Sequence, residues 1–308
     1  MIYVMVGISG SGKSTTAQIL QKNEDNCIIL NRDKFREQLF GFGPTGHKAY
    51  YSRPDYSRHD LKEREKTVSR FFDNAVKTAI RNGYSVVADN THLNMRYINH
   101  YKKFATPFEL VVCDVDLETC LQRDRERERQ VGEEVIRKQY DQFKSLIKRK
   151  DFNATQVFAP EPFKAVNDPK KPWAYVFDLD GTLAIHDNRS PYDWKKLSTD
   201  IPNRSLVRVL SLLEYSKDHV IFCTGRDGES LNLTASWLHA HLPPIQGMRN
   251  IMIREPGNSE PDWMIKQRMW AKICEDYYIA AMFDDRDQVV DHARRLGFQS
   301  YQVNYGDF

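Results

Sequence analysis

Short apolar runs alternate with longer amphipathic stretches along the first half of the chain. Strands are predicted where the apolar runs fall, at Ile2–Val6, Cys27–Leu30, Ser85–Ala88 and Leu110–Val115. Helical periodicity separates these runs and is clearest in Leu61–Arg81. Strands that alternate with helices are typical of a parallel sheet, which binds its ligands at the carboxyl ends of the strands. The first half is therefore expected to form an α/β domain.

The same alternation restarts after a polar stretch, residues 151–172, that contains four prolines. This composition predicts an interdomain linker. Beyond it, strands are predicted at Trp173–Phe177, His219–Cys223, Ile279–Phe283 and Gln299–Val303. We therefore expect two α/β domains, residues 1–150 and residues 173–308, joined by the linker.

The overall composition indicates the class of protein and its compartment, and says little about its chemistry. The chain has 308 residues, of which 41% are hydrophobic and 28% charged, with a formal net charge of +3; these values are ordinary for a soluble globular protein. No apolar run reaches the length of a membrane span, and no secretory signal pattern is present. The five cysteines form no Cys-x-x-Cys pair, which favours reduced thiols and predicts a cytoplasmic location.

A glycine-rich motif follows the first predicted strand directly. It fits the pattern Gly-x-x-x-x-Gly-Lys-Ser and is followed by a predicted helix. Backbone N–H groups of such a loop cradle phosphates, Lys13 adds a charge near the transferred phosphate, and Ser14 can hold Mg²⁺. The motif predicts a site for a nucleoside triphosphate at Gly7, Ser9, Gly10, Ser11, Gly12, Lys13, Ser14 and Thr15. A glycine-rich turn without a ligand is the competing interpretation.

Two acidic residues follow the next strands of the predicted sheet. Asp33 comes after Cys27–Leu30 and is expected to face the phosphate loop, where a carboxylate could accept the proton of an attacking hydroxyl. A helix N-cap is an equally good interpretation of Asp33 from its position alone. Asp89 ends Ser85–Ala88 and could support Mg²⁺ or position Lys13, while capping competes as the role of the polar residues after it.

Arginines alternate with acidic residues in the segment from Gln122 to Arg129. A mixed charge run of this kind is usually a solvated helix face. In small P-loop kinases, however, an arginine-bearing helix closes on the triphosphate, because the guanidinium fork binds phosphate oxygens bidentately. Arg123 and Arg127 are four residues apart and would share one helix face, so this pair is expected to form such a lid.

Four short polar segments in the second half together supply the groups of a phosphate-processing site. Two carboxylates spaced by one residue at a strand end can act as nucleophile and general acid, with Mg²⁺ bridging to the phosphate. A calcium loop or a capped turn would explain such a pair alone, but not the hydroxyl, ammonium and further carboxylates that follow it. The segments are Asp178-Leu179-Asp180, Thr224-Gly225-Arg226, Asp262 with Lys266, and Asp284-Asp285.

These four segments resemble the haloacid dehalogenase superfamily of phosphohydrolases, which use an aspartyl-phosphate intermediate. The resemblance implies that Asp178 is the nucleophile and Asp180 the general acid and base. It also implies a Mg²⁺ site formed by Asp178, Asp180, Asp284 and Asp285. Thr224, Gly225 and Lys266 would hold the phosphate, with Asp262 orienting Lys266.

The order of the two halves is similar to that of the phage-type polynucleotide 5′-kinase/3′-phosphatases, and this resemblance covers essentially the whole chain. It implies an end-healing enzyme that phosphorylates 5′-hydroxyl ends and removes 3′-phosphate ends of RNA or DNA, with 2′,3′-cyclic phosphates left open. Asp33 would be the general base, Lys13 and Arg127 with Arg123 would bind the ATP phosphates, and Arg36 would contact the acceptor phosphate. The phosphatase site would include Arg189, Arg226 and Arg254.

The same resemblance implies a homotetramer, functional coupling to a polynucleotide ligase and, if the chain is phage-encoded, the cytoplasm of a bacterial host. The stretch Gly41–Arg58 departs from the family pattern. Its tyrosines interleaved with basic residues suit single-strand binding, and an ordinary surface loop explains them equally well.

Two other functions remain open from the residues. One is a bifunctional kinase and phosphatase of a small molecule, which would keep both catalytic centres and change only the acceptor pockets. The other is a nucleotide-gated binding protein with a decayed phosphatase-like domain, against which the intact carboxylates of the second half argue. Phosphate transfer to a 5′-hydroxyl oligonucleotide rather than to small alcohols discriminates the end-healing enzyme from the first alternative. Absence of phosphate release from any 3′-phosphorylated strand would favour the second.

Overall fold

The computed structural model describes residues 1–41, 50–51, 57–186, 189–190, 193–213, 216, 218–242 and 250–306. The chain divides into two compact units, Met1–Pro160 and Glu161–Phe308. Both units are α/β, so the predicted fold class is confirmed.

The first unit is built on a five-stranded sheet in the order β2-β3-β1-β4-β5. Its first four strands in chain order pair in parallel, and β5 pairs antiparallel with β4 at the edge. The order puts β1 in the centre, where all five of its residues are buried. The strands are β1 Ile2–Val6, β2 Cys27–Leu30, β3 Ser85–Ala88, β4 Phe108–Val112 and β5 Val157–Phe158.

Helices connect these strands, and the longest one shows why the sequence folds this way. Ser57 and Asp60 form a capping box at its start, which satisfies backbone N–H groups of the first turn. Its apolar residues Val68, Phe72 and Val76 recur at helical spacing and are buried in the core. The helices are α1 Lys13–Asn23, α2 Arg32–Phe40, α3 Arg58–Arg81, α4 Met95–Asn99, α5 Leu117–Arg125 and α6 Glu133–Ile147, and a 3₁₀ helix His100–Phe104 follows α4.

The segment expected to be a linker does not form a separate connection. Its first part contributes β5 to the first unit, where Phe158 stacks on Phe108 with ring centroids 5.1 Å apart. Its later part belongs to the second unit, where the Asn167 side chain accepts a hydrogen bond from Ile279 N at 2.7 Å. The prolines gave the composition of a linker, but β5 completes the edge of the first sheet and moves the division to Pro160.

The second unit contains a five-stranded parallel sheet in the order β10-β9-β6-β11-β12. The central strand β6 carries Phe177, whose ring stacks on Phe283 at a centroid distance of 4.5 Å. The sheet strands are β6 Trp173–Phe177, β9 His219–Asp227, β10 Ile251–Arg254, β11 Tyr278–Arg286 and β12 Ser300–Gly306. A small antiparallel pair is formed by β7 Ala184–Ile185 and β8 Ile201–Pro202.

Helices of the second unit are α7 Arg204–Leu213, α8 Leu231–His241, α9 Asp262–Asp276 and α10 Asp287–Arg295, with 3₁₀ helices at Trp194–Thr199 and Gly228–Ser230. Strands β9 and β11 run several residues past their predicted ends, because the motif residues themselves continue the strand pairing. All five cysteines are free thiols. Among the described residues, no helix combines the length and apolarity needed to cross a membrane.

Candidate functional sites

The glycine-rich loop of the first unit passes very close to the start of α5. Gly10 has φ +86°, and a Cβ on it would lie 2.5 Å from the backbone oxygen of Cys120, so only glycine fits this approach. Lys13 is buried and donates from Nζ to Ile8 O at 2.6 Å. Burial lowers the pKa of Lys13 against the opposing charge of Asp89. Its ammonium therefore lies inside the loop, and no carboxylate of the described residues contacts it.

A small polar network joins the loop to the ends of β2 and β3. Ser14 Oγ donates to Asp89 Oδ2 at 2.8 Å, and Asn31 Nδ2 donates to Asp89 O at 2.7 Å. Asn31 also caps α2, because its Oδ1 accepts from Asp33 N at 2.8 Å and from Lys34 N at 3.2 Å. The capping role considered for Asp33 therefore belongs to Asn31, and the Asp33 side chain projects from the first turn, half-exposed.

Arg36 is fixed by two acidic residues. Its Nε and Nη2 donate to the two oxygens of Glu65 at 2.8 Å each, a bidentate pair, and its Nη1 donates to Asp33. Although burial opposes it, these bonds raise the pKa of Arg36 above its usual range. The guanidinium also lies 6.0 Å and 5.8 Å from the ring centroids of Tyr50 and Tyr51. These tyrosines belong to Gly41–Arg58, of which residues 42–49 and 52–56 lie outside the described residues.

The predicted pair Arg123 and Arg127 does not share a helix face. Helix α5 ends at Arg125, and Arg127 N bonds Asp124 O in the turn beyond it. Arg123 donates to Gly10 O at 3.1 Å and supports the loop, whereas Arg127 lines the cavity described below. The buried carboxylate of Asp124 accepts from the backbone N–H groups of residues 131 and 132 at 3.0 and 2.9 Å and ends the helix early.

One cavity of about 910 Å³ joins the glycine-rich loop to the Asp33 region. Lys13 and Arg127 line it, and so do Asp33 and Arg36. The structure therefore brings the predicted donor site and the predicted acceptor residues into one space. Its lining also includes Ser9, Gly10, Gly12, Ser14, Thr15, Asn31, Arg32, Lys62, Glu65, Lys66, Ser69, Phe72, Asp89, Asn90, Thr91, His92, Arg96, Tyr97, His100, Tyr101 and Val131.

In the second unit, Lys266 lies among three carboxylates. Its Nζ donates to Asp178 Oδ1 and Asp284 Oδ2, each at 2.7 Å, and lies 3.3 Å from Asp262. Burial disfavours the ammonium, but the carboxylates outweigh it and raise the pKa of Lys266. Burial also raises the pKa of Asp178 and Asp284 despite the lysine. Asp262 contacts Lys266 as predicted, and the other two carboxylates contact the ammonium more closely.

Asp178, Asp284 and Asp285 fit a divalent cation. One oxygen of each lies within 4.8 Å of the others. Within the described part of the chain, the buried Oδ1 of Asp285 has no hydrogen-bond partner. Burial and the neighbouring Asp284 raise the pKa of Asp285 to about 7, and clustered carboxylate oxygens are the donors that Mg²⁺ prefers. The Asp180 side chain, predicted to join this set, points elsewhere.

Asp180 instead belongs to a network of guanidinium groups. Its Oδ1 accepts from Arg189 Nη2 at 2.9 Å, from Arg226 Nη2 at 2.8 Å and from His186 Nε2 at 2.7 Å. Asp200 lies on the other side and accepts from both arginines, whose side chains are fully buried. Burial opposes ionisation, but the hydrogen bonds from His186 and Arg226 hold the pKa of Asp180 below its usual range.

The remaining predicted residues shape the loops around this centre. Thr224 is fully buried, and its Oγ1 accepts from Arg226 N at 3.2 Å. Arg254 donates to Gly225 O at 2.8 Å and lies 3.3 Å from Asp262. Arg254 therefore holds the Gly225 loop against the start of α9.

Several functional candidates escaped the sequence reasoning. Glu65 and Asp200 pair with predicted arginines, yet neither lies in a motif. Gln139 Oε1 accepts from Ser9 N at 2.8 Å across 130 residues, a contact that no local pattern reveals. Of these three, Glu65 carried a signal, because it shares one polar face of the predicted helix with Ser69 and Lys62.

The two halves of the chain are each similar to a different protein family. Residues 2–149 match the AAA domain family, and residues 172–308 match the family described as the polynucleotide kinase PNKP phosphatase domain. A protein of Autographa californica nuclear polyhedrosis virus, named a putative bifunctional polynucleotide kinase/RNA ligase, is 30% identical over 299 residues. The match covers 94% of this chain and 40% of that protein.

Two further similarities cover different shares of the chain. An L-seryl-tRNA(Sec) kinase of Methanococcus maripaludis is 26% identical over 152 residues, which are 46% of this chain and 52% of that protein. The chain therefore spans about half or less of these curated relatives. A chain of the solved Pnkp1/Rnl/Hen1 RNA repair complex is 25% identical with a TM-score of 0.45, and the match covers 100% of this chain and 96% of that one.

Proposed function

Because the chain joins a P-loop domain of the AAA family to a phosphatase domain of the polynucleotide kinase PNKP family, we propose that it heals nucleic-acid ends by two reactions. The first unit transfers the γ-phosphate of ATP to a 5′-hydroxyl end. The second unit removes a 3′-phosphate end. The observation that carries the kinase half is the shared cavity, in which Lys13 and Asp33 both line the space where donor and acceptor would meet.

In the kinase reaction, Asp33 accepts the proton of the 5′-hydroxyl as its oxygen attacks the γ-phosphorus. The new O–P bond forms as the bond to the departing ADP breaks. Lys13 and Arg127 offset the charge that develops on the transferred group. Arg36 lies beside Asp33 and is preorganised by Glu65 to contact the acceptor's first phosphate.

In the phosphatase reaction, an Asp178 oxygen attacks the phosphorus of the 3′-phosphate and forms an aspartyl-phosphate. The bond to the 3′-oxygen breaks, and that oxygen takes a proton from Asp180. Water then attacks the phosphorus, gives its proton to Asp180, and releases inorganic phosphate and free Asp178. Lys266 contacts Asp178 and supplies positive charge where the phosphate enters.

The arginine network bears on the proton that Asp180 must carry. With Arg189 and Arg226 in contact, Asp180 is held as a carboxylate. A substrate phosphate competes for the same guanidinium groups, since both are anions that the forks bind. Substrate binding would weaken these bonds, allow Asp180 to take up a proton, and so prepare it to act as the acid.

Metal ions complete both sites in this proposal. Asp178, Asp284 and Asp285 would hold Mg²⁺ in the second unit, and Ser14 with Asp89 would hold it beside the triphosphate. Bound there, Mg²⁺ supplies positive charge to phosphate oxygens.

The products are a 5′-phosphate and a 3′-hydroxyl, the two ends that a polynucleotide ligase joins. The name of the viral relative combines a polynucleotide kinase with an RNA ligase. Coupling to a ligase is therefore part of the proposal. The tetramer implied by the family resemblance stays a prediction, which light scattering of the purified chain tests.

Single-site variants test the two-reaction proposal. Asp33→Ala is expected to abolish label transfer from ATP to a 5′-hydroxyl oligonucleotide while phosphate release from a 3′-phosphate end continues. Asp178→Ala is expected to do the reverse. A folded variant that loses both activities would overturn the two-site assignment. Phosphorylation of small alcohols or sugars in place of oligonucleotides would instead favour a small-molecule kinase.

A further inference from the structure

The cavity of the first unit is lined by more cationic than acidic side chains. Its wall holds three carboxylates and seven cationic side chains of lysine and arginine. The whole chain has a formal net charge of only +3, so the cavity concentrates positive charge. The cations are Lys13, Arg32, Arg36, Lys62, Lys66, Arg96 and Arg127.

Most of these cations already have a partner or a place in the proposed reaction. Lys13 and Arg127 are assigned to the donor phosphates in the proposed reaction, and Glu65 holds Arg36 through both of its oxygens. Arg32 donates to Ser69 Oγ at 2.8 Å. Lys66 pairs with the exposed Glu63 at 2.6 Å, and exposed ion pairs of this kind contribute little to stability.

Lys62 and Arg96 differ from the other cations. Both are exposed, both line the cavity, and neither has an ion-pair partner among the residues that the structure describes. They come from two different elements, α3 and α4. Two such cations from separate elements that line one cavity are suited to a further anionic group of a bound ligand.

Helix geometry places Lys62 relative to the acceptor site. On α3, Ser69 contacts Arg32, and Glu65, one turn earlier, contacts Arg36. Lys62 is three residues before Glu65 and therefore lies on the same face, about one turn farther along. The cavity-lining face of α3 therefore extends from Phe72 through Ser69 and Glu65 to Lys62.

The two elements that supply these cations are fixed to each other. Asp73 on α3 is buried and accepts from His100 Nε2 at 2.9 Å and from Lys103 Nζ at 2.5 Å. His100 and Lys103 lie in the 3₁₀ helix that directly continues α4. These bonds therefore fix α3 to the 3₁₀ helix at Asp73, and such fixing is the preorganisation that binding a defined ligand favours.

Tyr97 adds an aromatic surface to the same wall. It follows Arg96, lines the cavity, and is 58% exposed. An exposed aromatic ring beside a cation is the arrangement on which single-stranded nucleic acids stack a base while a phosphate is held nearby.

We propose that Lys62, Arg96 and Tyr97 form a subsite for the second nucleotide of a single-stranded acceptor. The two cations hold the internucleotide phosphate that follows the second nucleotide, and the Tyr97 ring stacks on a base. This subsite rests on the proposed kinase function and specifies its substrate. The preferred acceptor is a strand with at least two internucleotide phosphates rather than a nucleoside, a dinucleotide or a sugar.

A comparison of short acceptors tests the subsite in the full chain. All acceptors carry a 5′-hydroxyl and a 3′-hydroxyl, so the phosphatase has no substrate. A dinucleotide offers only the phosphate assigned to Arg36, and a trinucleotide adds the second one. At saturating ATP and Mg²⁺, we expect the wild-type kcat/KM for the trinucleotide to exceed that for the dinucleotide about tenfold, the size of one good charged contact.

Matched variants then assign the preference to residues. The double variant Lys62→Ala/Arg96→Ala is expected to bring the trinucleotide-to-dinucleotide ratio close to one and to reduce its salt dependence. Lys22→Ala/Arg70→Ala removes the same charge from exposed positions outside the cavity and should leave the ratio unchanged. Tyr97→Ala is expected to lower kcat/KM for the trinucleotide about tenfold, and Tyr97→Phe, which keeps the ring, should retain it.

The outcomes separate this subsite from the function on which it rests. Equal wild-type kcat/KM for the two acceptors would overturn the subsite. An equal loss on both acceptors in the cavity double variant would also overturn it, because the charges would then act on ATP or on folding. If the wild type phosphorylates no 5′-hydroxyl oligonucleotide at any length, the kinase proposal itself fails.

Discussion

The two sites use the same residue types in opposite settings. In the first unit, Lys13 donates to a backbone carbonyl, and exposed cations line an open cavity. In the second unit, Lys266 contacts two carboxylates at 2.7 Å, and Arg189 and Arg226 are completely buried against Asp180 and Asp200.

The difference concerns what supplies the countercharge of each cation. In the first unit, Lys13, Lys62 and Arg96 contact no carboxylate among the described residues, whereas Arg36 is held by Glu65. The phosphates of the proposed ligands would supply the countercharge of the first three, so these cations are expected to contribute to binding and little to folding. In the second unit the protein supplies the countercharge, so removing one partner leaves buried charge uncompensated. The same substitution is therefore expected to have different consequences in the two units.

The largest contrast is expected for the two buried lysines. Lys266→Met should abolish 3′-phosphate release and lower the free energy of unfolding of the second unit by about 3–5 kcal/mol, because three carboxylates lose their ammonium. Lys13→Met should reduce kinase kcat by about 10²–10³-fold, with a stability change below about 1 kcal/mol, since its contact among the described residues is a carbonyl rather than a carboxylate. Urea unfolding and both activity assays measure the pair. If both variants lower the free energy of unfolding equally, the proposed difference between the two units is wrong.

A smaller but sharper effect is expected at Gly181. Its φ is +80°, and a Cβ would overlap Asp285 Oδ2. Gly181→Ala should therefore reduce phosphatase activity more than about tenfold and weaken stabilisation by Mg²⁺, read as the shift in Tm on adding the metal. Gly257→Ala is the control, because φ is +72° there and no atom of the described residues lies within 4 Å of the place that the added methyl group would take. If both variants lose activity equally, backbone strain rather than the Asp285 contact is responsible.

Acid is expected to destabilise both units, because each contains a buried histidine. Burial lowers the pKa of His92 and of His292 to about 4, against about 6.5 when unfolded. Each imidazole is neutral in the folded state, so its contribution to stability is present above pH 6.5 and is lost as pH falls toward 4. As pH falls from 7 to 5, protonation of each histidine in the unfolded state should lower the free energy of unfolding by about 2 kcal/mol. His92→Gln and His292→Gln should each show a correspondingly shallower pH dependence of unfolding, and an unchanged slope would contradict this.

The smallest effect is expected at the exposed pair of Arg129 and Glu37, which links the turn after α5 to α2 at 2.8 Å. Exposed ion pairs contribute little, because solvent screens them and ordering the side chains costs entropy. Arg129→Gln and Glu37→Gln should leave Tm unchanged and alter kinase kcat/KM by less than about twofold. A tenfold rise in the KM for ATP would show that this pair closes the cavity.

The sequence predicted the fold class and the strands that carry the motifs, because hydrophobic periodicity depends on local neighbours. Local pattern also placed the phosphate loop after β1 and Asp178 after β6, whereas Asp284 and Asp285 lie inside β11 rather than beyond its end. It did not predict where α5 ends, since the Asp124 side chain accepts bonds from residues seven and eight positions later. A tertiary contact overrode the helical spacing of Arg123 and Arg127.

The side-chain contacts of the candidate residues were harder to predict than the residues themselves. Asp180 and Arg226 were expected in one site, but their direct pairing and the role of Asp200 depend on contacts between residues 46 and 26 positions apart. Similarly, the capping role that competed for Asp33 is excluded only by the bonds that Asn31 accepts, and its role as a base stays a prediction. Sequence motifs identify which groups are present, and the pairing of those groups depends on the fold.

The two-residue strand β5 has a practical consequence for separating the two halves of the chain. Cutting after residue 150, as the sequence suggested, would remove Val157–Phe158, leave the edge of β4 with unpaired backbone groups and take away the ring that stacks on Phe108. Uncovered strand edges recruit other strands and lead to aggregation. A fragment of the first unit that ends after Pro160 keeps this edge covered and is the one to express alone.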